Sequence, residues 1–209
     1  MFVKKLILGP LETNCYLIAN EDVSLVIDPA ECTDEMVEFL NSAEGEKLIL
    51  LTHSHFDHIN GAGELKNLTG SRIAVHTLDA DGTTDAKLNL SAYFGTYCPP
   101  FKADVLLEDG QILNFKDTRI KVLHTPGHTI GSACFLFDEF LISGDTLFKM
   151  SIGRTDFPGG DFKQISSSLK KLMQLDEKIK VLSGHGEETT LLSEKIFNPF
   201  LKGILNESM

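Results

Sequence analysis

Four short apolar runs in this sequence each end on a side chain that binds cations, and that recurrence constrains the fold more than any other feature. Leu48-Ile49-Leu50-Leu51-Thr52 leads into His53 and His55, and Ile120-Lys121-Val122-Leu123 leads into His124. Phe140-Leu141-Ile142-Ser143-Gly144 leads into Asp145, and Lys180-Val181-Leu182-Ser183-Gly184 into His185. Continuous apolar stretches of this length read as strands buried on both faces. Strand ends that open into loops are where layered α/β proteins place their chemistry. Buried strands that deliver metal-type ligands at one end imply a sheet-based fold with a common site at its rim.

The remaining pattern agrees. Phe2–Leu8, Cys15–Ala19, Ser24–Asp28 and Lys47–Thr52 read as strands, each stopped by turn-forming residues. Thr33–Ser42 reads as a helix capped by Thr33, with Met36, Val37, Phe39 and Leu40 inward. Ile59–Leu68 reads as a second helix and Arg72–His76 as a strand. Residues 81–104 contain Pro99-Pro100 and little periodicity, so they read as a loop or a broken helix. Ile112–Leu113, Arg119–Leu123, Ala133–Phe137 and Phe140–Ser143 form a second group of strands. Phe162, Ile165, Leu169, Leu172 and Met173 fall at helical spacing and predict a helix over Asp161–Leu175. Lys178–Leu182 is a last strand, and helical segments close the chain. Two groups of strands with interspersed helices give a layered α/β or α+β fold.

Composition matters for what it excludes. A chain of 209 residues fits one domain, whose core is large enough to fold without disulfides or a metal. Nineteen Lys and Arg against thirty Asp and Glu leave a net charge of −11. That balance suits neither phosphate backbones nor anionic lipid, so neither a nucleic-acid nor a membrane partner is expected. No apolar run reaches the ~18 residues of a spanning helix, and Met1–Pro10 lacks a signal-peptide core. Cys15, Cys32, Cys98 and Cys134 are scattered without a CxxC, which fits reduced thiols in a cytoplasmic protein.

The densest cluster is His53-Ser54-His55-Phe56-Asp57-His58. Residues two apart in an extended segment point to the same side, so His53 and His55 can share one ion. Asp57 and His58 are adjacent and can face a common ion only if the chain turns there. The spacing therefore suggests two ions side by side, and mixed imidazole and carboxylate donors suit zinc, iron or manganese. His185 sits between Gly184 and Gly186, where the backbone approaches something closely or adopts positive φ. His76 and His128 lack a cluster. His76 reads as structural; His128 either orients a ligand from behind or stabilises the Thr125-Pro126-Gly127 turn. Asp28, before Pro29, either supports a ligating histidine or forms a turn.

Through these residues the sequence resembles the metallo-β-lactamase superfamily. His53-x-His55-x-Asp57-His58, His124, Asp145 and His185 occur in the family's order over nearly the whole chain. The resemblance implies a four-layer αββα sandwich, with two mixed sheets face to face, helices outside and a metal site at one edge. Gly144-Asp145-Thr146-Leu147-Phe148, Gly153-Arg154-Thr155-Asp156 and Gly184-His185-Gly186 with Thr189-Thr190 resemble the glyoxalase II (hydroxyacylglutathione hydrolase) branch. It implies that His53, His55 and His124 hold one divalent ion and Asp57, His58 and His185 the other, with Asp145 bridging. Zinc is the first expectation, and iron or manganese the alternatives. Arg154 is implied as a substrate-binding group, although Asp156 stands where the family has an aromatic residue. Only 24 residues follow His185, too few for the branch's glutathione-binding helical domain, so a compact single-domain hydrolase is expected.

The implied activity is hydrolysis of a small thioester of the S-lactoylglutathione type by a hydroxide shared between the ions and oriented by Asp57. A thiolate leaves without a strong general acid, which favours thioesters over amides. The alternatives are a mononuclear-iron sulfur dioxygenase and a non-enzymatic metal-binding module; a homo-oligomer is left open. Tyr93, Phe94, Tyr97 and Phe101 either form a lid over an apolar acyl group or fill core or a dimer contact.

Overall fold

A computed structural model describes residues 1–206. The first half of the chain forms a six-stranded sheet of β1 (Phe2–Leu8), β2 (Thr13–Ala19), β3 (Val23–Ile27), β4 (Glu46–Leu50), β5 (Arg72–His76) and β6 (Val105–Leu107), in that spatial order. β1 to β3 pair antiparallel, and β3 to β6 pair parallel. The second half contributes β7 (Ile112–Phe115), β8 (Thr118–His124), β9 (Ala133–Leu136), β10 (Phe140–Gly144), the small ribbon β11 (Leu147–Phe148) and β12 (Ser151–Ile152), then β13 (Lys180–Ser183) and β14 (Thr189–Thr190). Its six-stranded sheet is ordered β14-β13-β10-β9-β8-β7, and only β10 and β13 pair parallel.

Parallel neighbours require crossovers, and helices supply them. α1 (Asp34–Asn41) joins β3 to β4; α2 (Phe56–Ile59) and α3 (Ala62–Thr69) join β4 to β5. α4 (Ser91–Phe94) lies between β5 and β6, α5 (Phe162–Leu172) leads to β13, and α6 (Leu191–Phe197) and α7 (Pro199–Asn206) follow β14. Thr33 caps α1 by accepting from the Met36 N–H, and Asp161 caps α5 by accepting from Gln164 at 2.8 Å.

Three apolar cores follow from strands buried on both faces. Ile18, Leu25, Leu48 and Leu50 meet Ile120, Val122, Phe135 and Ile142 between the sheets. Leu17, Val26, Ile49 and Val75 pack outward onto Met36, Leu40, Ile59 and Leu65. Leu123, Leu141 and Val181 pack outward onto Ile165, Leu169, Leu172, Leu191 and Leu201. The architecture is the expected αββα sandwich. Each buried Leu or Ile contributes ~1.5–3 kcal/mol, so these three cores form the frame that carries the site.

Two segments differ from expectation. The Ile59–Leu68 helix is broken: the Gly61 N–H bonds to the Pro29 carbonyl at 2.9 Å, diverting the chain between α2 and α3. Residues 81–104 hold only the end of a 3₁₀ helix (Thr77–Thr83) and α4, while β6, too short for a pattern, pairs with β5. The four cysteines are free thiols, and no described helix is long and apolar enough to cross a membrane.

Candidate metal centre

The loops after β4, β8, β10 and β13 bring seven donors together. His53, His55 and His128 each place a ligating nitrogen within 4.8 Å of the other two, and Asp57, His58 and His185 form a second group on the same criterion. Asp145 lies between the groups: Oδ1 is 3.4 Å from His58 Nε2, and Oδ2 is 3.5 Å from His128 Nε2 and 3.6 Å from His185 Nε2. His185 Nε2 is also 3.4 Å from Asp57 Oδ2.

Partners behind the rings fix which nitrogen faces the site. His58 Nδ1–H donates to Asp28 Oδ2 at 3.0 Å, His128 Nδ1–H to the Arg154 carbonyl at 2.9 Å, and His185 Nδ1–H to the Leu11 carbonyl at 3.0 Å. The Thr52 hydroxyl donates to Asp28 at 2.6 Å, which leaves it to accept from His53 Nδ1–H at 3.0 Å. Each of these imidazoles therefore turns its Nε2 inward, the orientation that metal-ligating histidines use, and His58 and His185 share a proton between their Nε2 atoms at 3.2 Å.

The donors fit a pair of divalent cations. Among the described residues, His53 Nε2, His55 Nε2, His128 Nε2 and Asp145 Oδ1 are buried without a hydrogen-bond partner. Four such atoms converging on one volume are costly unless a cation satisfies them. Burial holds His55 at a pKa of about 3 and His53 well below its ordinary value, keeping both in the neutral, donating form. Burial opposes charge on His58 as well, but the facing Asp145 and Asp57 carboxylates and the hydrogen bond to Asp28 outweigh it and hold its pKa well above normal. Burial likewise disfavours the Asp145 carboxylate, yet His58 and its neighbours keep it ionised.

Two close approaches let the loops meet. A Cβ on Gly184 would lie 2.2 Å from Asp145 Oδ1 and 2.8 Å from His58 Cε1, so only glycine lets β13 end against the donors. Asp28 adopts φ +54 in front of Pro29, a strained conformation that aims its carboxylate at both Thr52 and His58.

The structure corrects one of the sequence-derived ligands. His124 does not join the cluster: β8 runs through it, paired with Ala133, its ring stacks on His76 at 4.1 Å, and its Nε2–H donates to the Ile130 carbonyl at 2.9 Å. The Thr125-Pro126-Gly127 turn carries the chain onward, so His128 supplies the third imidazole. The signal was present in the spacing, because His53 and His185 also lie beyond their strand ends. His76 is structural, accepting from the Leu78 N–H, and Asp28 holds His58 as its position before Pro29 allowed. Asp79, buried beneath the His53–His55 loop, was missed, since a lone acid in an aperiodic segment carries no pattern.

A cleft of about 260 Å³ opens onto the donors, lined also by Leu11, Phe56, Leu90, Phe94, Arg154 and Phe157. Arg154 is held by both oxygens of Asp156 and lies 3.7 Å over the Phe157 ring, so the aromatic neighbour comes one residue later than expected. Phe94 packs on Phe56 and Phe157 at the mouth. Phe101 joins the outer core, whereas Tyr93 and Tyr97 are exposed. A larger cleft, about 400 Å³, lies against β1 and β13; its charged lining includes the Lys180–Glu188 pair and gathers no ligating cluster.

Comparison with known sequences places this geometry in a family. Residues 8–185 match the sequence profile of the metallo-β-lactamase superfamily. The chain belongs to that superfamily. Among its relatives is the probable metallo-hydrolase YqgX of Bacillus subtilis, 36% identical over 96% of this chain and 97% of that protein. Another is the hydroxyacylglutathione hydrolase GloC of Haemophilus influenzae, 33% identical over 91% and 93%. Of solved structures, the B3 metallo-β-lactamase BLEG-1 superposes with a TM-score of 0.89 at 35% identity, covering 97% of this chain and all of that one. TTHA1623 in a di-iron-bound form superposes with a TM-score of 0.84 at 36% identity, covering 95% and 100%.

Proposed function

We propose that this chain is a binuclear metal-dependent hydrolase acting on small thioesters. The observation that carries the reading is the lining of the cleft. Among the described residues, its titratable side chains are five members of the donor set and Arg154, which Asp156 already holds. No side chain there is free to protonate an amine as it leaves, whereas a thiolate departs unaided. The likeness to GloC supports the same substrate chemistry, and the paired donor groups support two ions rather than one.

His53, His55 and His128 would hold one ion, Asp57, His58 and His185 the other, and Asp145 would touch both. Zinc suits these donors, and the di-iron TTHA1623 supports iron as well. Bound divalent ions lower the pKa of water to about 7 and stabilise the oxyanion of the attacked carbonyl. The chain supplies the rest. Asp57, whose Oδ2 faces His58 and His185 and accepts from the Thr13 hydroxyl at 3.4 Å, would orient the attacking water. Leu90, Phe94 and Phe157 line the cleft and would pack against the acyl group. The test is a matched panel of thioester, oxygen ester and amide, including S-lactoylglutathione, on protein of measured metal content. Thioesters are expected to give the highest kcat/KM; equal or better amide hydrolysis, or oxygen uptake with one iron per chain, would overturn the reading.

A further inference from the structure

Asp79 lies outside the donor set, yet it grips both loops that carry the three-imidazole group. It sits in the 3₁₀ helix at 3% exposure. Its Oδ2 accepts from the backbone N–H of Ser54, the residue between His53 and His55, at 2.8 Å. The same oxygen accepts from the hydroxyl of Thr129, the residue after His128, at 2.9 Å. Its Oδ1 accepts from the Gly131 N–H at 2.7 Å. The approach is close enough that a Cβ on Gly131 would lie 2.5 Å from both Asp79 N and Asp79 Oδ1. No lysine or arginine is bonded to this carboxylate among the described residues; its donors are the two ligand loops themselves.

We infer that Asp79 is a positioning residue for the metal centre, locking the His53–His55 loop to the His128 loop so that three Nε2 atoms converge on one cation. The inference rests on the binuclear reading above. His55 and His128 come from different sheets, so nothing in the local chain sets their spacing. Displacing a ligand by ~0.5 Å is enough to spoil a site, and a buried carboxylate with three donors is a stiff tether. An asparagine fills the same volume but must turn an N–H donor toward Gly131 N–H or toward Ser54 N–H and Thr129. Asp28 performs the corresponding service for His53 and His58, through Thr52 and directly.

The deciding experiment titrates metal-free full-length protein with zinc, and separately with cobalt, following stoichiometry, affinity and the cobalt absorption spectrum. Asp79→Asn is expected to weaken one ion by about 10–100-fold and to shift that ion's cobalt bands, while the other ion keeps its affinity. Thr129→Val should weaken the same ion by less, and Thr129→Ser, which keeps the hydroxyl, should restore it. Wild-type binding of both ions by Asp79→Asn, or parallel weakening of both, would reduce Asp79 to an ordinary core group. If Asp79→Asn does not fold, the Thr129 pair decides alone: failure of Thr129→Ser to restore the affinity lost in Thr129→Val overturns the inference. A wild-type protein that binds no ion overturns the binuclear reading and this inference together. One that binds two, with unaltered variants, overturns only the latter.

Discussion

At the scale of single residues, the site turns on which imidazole completes the first group. His124 is spent on His76 and the Ile130 carbonyl, while His128 Nε2 is buried without a partner and faces Asp145. His128→Gln is therefore expected to lose one ion per chain by metal analysis, and His124→Gln to retain both. The reverse result would restore the sequence-derived assignment. Asp145 carries a different load, because its two oxygens face both donor groups. Asp145→Asn keeps the shape but removes the negative charge between the two donor groups. Charge stabilisation worth several kcal/mol corresponds to roughly 10²–10³ in rate, so kcat/KM for a thioester should fall by that factor with the fold intact by circular dichroism.

At the scale of elements, the sequence was most readable where apolar periodicity was long. β2 to β5, β8 to β10, α1 and α5 lie within a residue or three of their expected bounds, because burial on one or both faces imposes the pattern directly, and β1, though largely exposed, also falls at its expected bounds. β6, β11, β12 and β14 were not legible, since two or three residues cannot express a period. Six of the seven donors could be read from motif and strand end. The seventh depended on how far β8 extends, which is fixed by its pairing with β9 and not by local sequence. The β5 and β8 ends also make a testable pair. Burial and the stacked His124 hold His76 at a pKa of about 4, against 6.5 ordinarily; Asp109 opposes this and Lys171 reinforces it. Above pH 6.5 the ring is neutral in both states and costs nothing. As pH falls toward 4 the unfolded chain takes up a proton that the folded one refuses, so stability drops across that window. Linkage caps the loss at ~3 kcal/mol, and solvent screening so near the surface reduces it to about 1–2 kcal/mol. Urea unfolding of metal-free protein at pH 7.5 and 4.5 should show His76→Gln losing less stability on acidification than wild type, by that amount.

At the scale of the whole molecule, the donors stitch the two sheets together. His53 and His55 follow β4 of the first sheet; His128, Asp145 and His185 follow strands of the second. Each proposed ion would therefore draw ligands from both halves of the sandwich and bind only when the halves are docked. A ligand that binds the native state alone stabilises it by about 2.7 kcal/mol at 100 times its dissociation constant and 4.1 kcal/mol at 1,000 times. For a chain of this length each kcal/mol moves Tm by ~2–4 °C, so chelation should lower Tm by roughly 5–16 °C. The intersheet core of Leu25, Leu50, Phe135 and Ile142 does not depend on the ions, so the stripped protein should still unfold in one cooperative step. Scanning calorimetry with and without chelator, followed by re-addition of zinc, separates the possibilities. A reversible shift of that size with cooperativity retained fits a sandwich that folds by packing and is then clamped by its ions. An unchanged Tm would mean that the donors do not hold a cation across the sheets, and a non-cooperative melt would mean that packing alone cannot dock them.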